Sequence, residues 1–136
     1  MIKAFLLIIS ILTAFNEFYV TGQICDHEGF YVGYRINTLC NGQKYNTVNF
    51  AVRSCGGRKP HCMTYAPDET RIDDDYAGSA GPFFNHNSDQ DLEIEHMCRP
   101  CKNEIVSVPI PNEATYCSGE PKKYYNLGDL ELTNYC

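Results

Sequence analysis

The stretch EIEHMCRPCKNE, residues 93–104, decides how the rest of the chain reads. It holds Cys98-Arg99-Pro100-Cys101, a Cys-x-x-Cys pair, with His96 two residues upstream. Such a pair is half of a metal site, a redox dithiol, or two ends of unrelated structural bridges. A structural zinc site needs four thiolate or imidazole ligands. His96, Cys98 and Cys101 would supply three, but the sequence has no second Cys-x-x-Cys and no His-x-x-x-His. A thioredoxin-like dithiol follows a buried strand and opens a helix whose N-terminus lowers the thiol pKa. Here the lead-in DLEIEHM (91–97) is charged at every second position, and Pro109 and Pro111 follow. The remaining reading is a bracket. Each cysteine bridges to a distant partner, and the chain folds tightly at Pro100.

Working outward, the other cysteines fit that reading. Cys25, Cys40, Cys55, Cys62, Cys98, Cys101, Cys117 and Cys136 make an even set. An even set in a short secreted chain reads as a disulfide framework, with about a hundred possible connectivities. All eight follow MIKAFLLIISILTAF, in which Lys3 precedes an apolar run too short for a membrane span. The expectation is a signal peptide over 1–22 and a cysteine-rich domain over 23–136, secreted and extracellular, without membrane insertion. The net charge is −6. This acidity argues against a nucleic-acid partner, because phosphate contacts need a basic face.

Strand-like patches recur along the chain. FYVGYRI (30–36) is aromatic and β-branched. TVNFAVRS (47–54) alternates Val48, Phe50 and Val52 with Asn49, Ala51 and Arg53, as one buried face requires. EIVSVPI (104–110) carries Pro109, which points to an edge strand. DLELTNYC (129–136) alternates Leu130 and Leu132 with polar residues. No window shows a capped helical stripe. The fold class expected is small, disulfide-rich and mainly β with long irregular loops, as a single domain. The longest loop is placed at about 66–96, where the chain is acidic and poor in β-branched residues. Within it, Phe83 and Phe84 either dock that loop on the core or form an exposed contact point.

Enzymatic chemistry lacks a visible apparatus. There are four histidines but no Gly-x-Ser-x-Gly elbow, and no free cysteine is expected. An EF-hand count from Asp73 places Gly78 sixth but Phe84 twelfth, and a count from Asp89 places Ile94 sixth. Both fail, leaving at most a weak calcium site of another kind. Asp89, Asp91, Glu93 and Glu95 would project from one face of a strand, solvated or meeting a basic partner. The expectation is no enzyme, no catalytic residue, no cofactor and no metal.

Two cationic groups stand out against the acidic background: Arg53, Arg58 and Lys59 around Cys55 and Cys62, and Lys122-Lys123-Tyr124-Tyr125. A Cys55–Cys62 bridge would make the first a rigid displayed knuckle. Rigid loops carrying cations beside aromatics suit protein recognition, because little entropy is lost on docking. These seven residues form the expected binding set. The stretch Cys25-Asp-His-Glu-Gly29-Phe-Tyr31-Val-Gly33, followed by Cys40, resembles the opening of von Willebrand factor type C modules. The Cys-x-Cys and Cys-Cys elements of that family are absent, so no function is carried over. In leader, size and cysteine count the chain resembles secreted proteins of arthropod venoms and saliva. The functional expectation is a toxin or effector that docks on a channel, receptor or protease. The alternative is an endogenous extracellular ligand or prohormone cut at Lys122-Lys123, and a secreted enzyme comes third.

Overall fold

The structure, a computed structural model, describes Cys25 and residues 28–56, 61–85 and 87–136. The expected signal peptide over 1–22 lies outside the described residues, as do Arg58 and Lys59.

The strands are β1 (Phe30–Cys40), β2 (Gln43–Lys44), β3 (Val48–Gly56), β4 (His61–Tyr65) and β5 (Asp68–Ile72). They continue with β6 (Asp75–Phe83), β7 (Asp89–His96), β8 (Ile105–Ile110), β9 (Thr115–Cys117) and β10 (Tyr125–Glu131). Short 3-10 turns occupy Asn112–Ala114 and Leu132–Tyr135, and no α-helix occurs among the described residues. One sheet has the order β10-β1-β6-β5, with β2 and β9 also paired to β1. The other has the order β4-β3-β7-β8. All pairings are antiparallel except β1 with β10, which run parallel.

Alternation sets which side chains face inward. In β1 these are Val32, Tyr34, Ile36 and Thr38; in β3, Phe50, Val52 and Ser54; in β7, Gln90, Leu92, Ile94 and His96. Rings join the sheets across one shared core. Phe50 lies 5.5 Å from Tyr34 and 4.9 Å from Tyr76 between centroids, and Tyr65 lies 5.1 Å from Phe83. Tilted and edge-on ring pairs of this kind add to the burial term. The expected strands at 30–36, 47–54 and 104–110 are present, and β8, with Pro109, is the edge strand of its sheet. The stretch 129–136 is strand only to Glu131 and then turns.

The long acidic loop expected over 66–96 is corrected: this segment contains β5, β6 and β7. The acids sit at exposed or outward positions, so they do not prevent sheet formation. β6 is built of small residues with weak strand preference, and their smallness is what lets it run between β1 and β5. A Cβ on Gly78 would collide with the buried Tyr34 ring. The two rings that follow separate: Phe83 is 1 % exposed in the core, whereas Phe84 is 57 % exposed.

The bridges are Cys25–Cys117, Cys40–Cys98, Cys55–Cys62 and Cys101–Cys136. Cys98 and Cys101 are thus a bracket, with a turn at Arg99-Pro100 between two long-range ties. The fold is mainly β and disulfide-rich, as the cysteine arithmetic indicates.

Candidate functional site

The segment between β9 and β10 carries three of the expected contact residues, Lys122, Lys123 and Tyr124, and the fourth, Tyr125, opens β10. Gly33 of β1 leaves room for the Lys123 carbonyl, which a Cβ there would strike. The chain can therefore lie close over β1 before entering β10. Lys122 Nζ donates to Asp68 Oδ2 at 2.9 Å, and Lys123 Nζ to the Thr115 carbonyl at 3.5 Å. Tyr124 is half-buried and Tyr125 exposed. Beside this segment runs a groove of about 410 Å³, lined by Tyr31, Asp68, Ser79, Gly81, Tyr116 and Lys122 among others. The Tyr31 and Tyr116 rings stack at 5.6 Å, and the Tyr116 hydroxyl meets that of Ser79. Burial pushes the Tyr116 phenol up, opposed by the Ser79 bond and by Lys122. The Asp68 hydrogen bond, with its charge, holds the Lys122 ammonium above its ordinary range. Both partners are well exposed, so the pair adds little stability and is screened by salt.

Arg53 stands elsewhere. It projects from the outer face of β3, with Nη1 on Glu93 Oε1 at 3.2 Å and Nη2 on the Cys62 sulfur at 3.3 Å. Cys55 and Cys62 face each other in register, so their bridge closes the β3–β4 hairpin. Arg53 and Lys122 are therefore anchored on different sheets. Sequence reading missed Asp68, Tyr31, Ser79 and Tyr116, which are far apart in the chain and meet only through sheet pairing.

The outer face of the second sheet is acidic. Asp89, Asp91, Glu93 and Glu95 occupy alternate positions of β7, opposite Cys55, Arg53, Ala51 and Asn49 of β3. At its end lies a pocket of about 400 Å³ whose lining includes Asn46, Asn49, Glu95, His96, Met97 and Glu104. His96 is 2 % exposed. Its Nδ1 accepts from the Cys98 backbone N–H at 3.1 Å, which places the ring proton on Nε2. That Nε2–H has no acceptor among the described residues. Burial lowers the His96 pKa, the Glu104 carboxylate opposes this, and Arg99 adds to the lowering. Ligand atoms of His96, Cys98 and Cys101 lie within 4.8 Å of one another. Both sulfurs are bonded to other cysteines, however, so neither offers the thiolate that zinc binding requires.

Comparison with known proteins returns no matching family model, no similar curated protein and no similar solved structure. The class defined by the fold is a disulfide-stapled protein of two packed β-sheets. Its bridges suit an oxidising compartment, and no helix among the described residues is long and apolar enough to cross a membrane.

Proposed function

We propose that the chain is a secreted binding protein without catalytic activity, an effector of the venom or saliva type that docks on an extracellular or membrane-receptor protein. The observation that supports this is the Lys122–Tyr125 segment. It presents cations and aromatic rings beside an open groove, on backbone tied by Cys25–Cys117 before it and Cys101–Cys136 after it. Such a segment loses little conformational freedom on docking, which favours tight association through few anchors. The prohormone alternative is weakened by the same bridge. A cut after Lys123 would leave residues 124–136 attached through Cys101–Cys136.

The test applies the oxidised protein to a panel of trypsin-like proteases, voltage-gated channels and peptide-hormone receptors. One target is expected to be blocked, and Lys122→Ala with Tyr125→Ala should weaken that block by about tenfold or more. Full potency in that variant, or a protein inert on the whole panel, would overturn the reading.

A further inference from the structure

We propose that the chain forms a two-fold dimer in which β5 pairs antiparallel with β5 of a second copy, centred on Thr70, so that Glu69 of each copy lies opposite Arg71 of the other. β5, Asp68-Glu69-Thr70-Arg71-Ile72, is the outer strand of its sheet. Its register with β6 runs without a shift, whereas β10 at the opposite edge skips a residue against β1, and β8 carries Pro109. A regular edge without proline is the kind that accepts another strand. Antiparallel partners alternate between pairs that exchange two hydrogen bonds and pairs that exchange none. Ile72 and Asp75 close a two-residue turn, which makes theirs a bonded pair. By alternation Thr70–Ala77 and Asp68–Ser79 are bonded, and Arg71–Tyr76 and Glu69–Gly78 are not. The N–H and C=O groups of Glu69 and Arg71 therefore point away from β6, and no other backbone bond among the described residues takes them up. The residues with outward backbone groups are thus the two of opposite charge. Pairing about Thr70 sets each against the other and brings Thr70 to Thr70, both favourable cross-strand pairs.

The side chains at this end of the molecule supply an independent observation. Glu69 lies in register with Gly78 and Tyr34, and Arg71 with Tyr76 and Ile36, so both point to the side of the sheet that packs on the other sheet. The Arg71 guanidinium accordingly lies 3.6 Å over the Tyr76 ring. Both residues are nevertheless exposed. Met63 of β4, which shares the inward face of the other sheet with Ser54, is 44 % exposed. The seam between the sheets is open here, and a second copy along β5 would cover it. Inward charges on an edge oppose pairing with an unrelated strand. Against a second copy in this register they attract, so the same two residues select the partner. Lys122 and its groove lie over the face of the sheet and take no part in the pairing.

Sedimentation equilibrium of the oxidised full chain, carried to about 1 mM so that a small interface is populated, should show a monomer–dimer equilibrium. Glu69→Arg and Arg71→Glu each place like charges opposite one another, and each should weaken self-association by about tenfold or more. Glu69→Arg also reduces the net charge of −6, so general repulsion between copies would change in the other direction. An equimolar mixture of the two variants restores opposite charges at both pairs and should associate as well as the native protein, within about threefold. In the native dimer the Glu69 and Arg71 amides should exchange hydrogen more slowly as concentration rises, while that of Thr70, already bonded to β6, stays unchanged. A native protein monomeric at the highest concentration, a single variant that associates normally, a mixture that does not associate, or a dimer without that amide protection would overturn the proposal. None of these results bears on the target panel for the Lys122 segment.

Discussion

His96 shows how one residue's surroundings set its chemistry. The sequence offers it as a metal ligand beside two cysteines. The fold instead turns it inward at the end of β7, gives its Nδ1 a backbone donor and removes the thiolates. Its pKa lies below the ordinary 6.5, through burial first, with Glu104 opposing and Arg99 reinforcing. Below that ordinary value the unfolded chain takes up a proton that the folded ring resists. Stability therefore falls as pH drops through 6.5 toward the depressed folded value, and the contribution is flat above it. Thermal melts between about pH 7 and 5 should lose stability more steeply for the native chain than for His96→Gln. Matching slopes would show that another group drives the pH dependence.

At the scale of the element, the β5–β6 hairpin shows how an acidic segment with a loop-like composition forms a sheet. Ile72 pairs with Asp75, so Asp73 and Asp74 form a two-residue turn, with φ of 49° and 66°. Such turns need positive φ at both central residues and favour glycine at the second. The same geometry recurs at Asn41-Gly42 between β1 and β2, where the sequence carries an Asn-Gly hairpin signal. The Asp74 carbonyl accepts from Lys44 and Arg71, and glycine would keep both bonds. Asp74→Gly should accordingly stabilise the protein by roughly 0.5–1 kcal/mol in denaturant unfolding, by relieving the left-handed backbone. A destabilised variant would mean that the Asp74 side chain contributes more than its backbone costs.

For the whole molecule, cross-links carry much of the confinement. The bridges span separations of 92, 58, 7 and 35 residues. In the loop-entropy account the longest is worth about 4–5 kcal/mol and the hairpin staple about 2–3 kcal/mol. Replacing Cys25 and Cys117 by serine should thus lower unfolding stability by about 2 kcal/mol more than replacing Cys55 and Cys62. Equal losses would point to local packing around the sulfurs as the larger effect. Digestion of unreduced native protein followed by mass spectrometry reads the four pairings directly.

The amino-acid sequence by itself determined the mainly β, cysteine-bridged character and the inward face of β3. Alternation and cysteine parity are local properties that need no knowledge of partners. Tertiary structure alone chose the bridge pairing, laid β10 parallel to β1 and made β6 a central strand. It also put Arg53 and Lys122 on different sheets and set Asp68 beside Lys122. Those outcomes depend on register between segments distant in the chain. Such register is decided by which long-range contacts bury the most apolar surface while satisfying the backbone, and no single window of sequence records it.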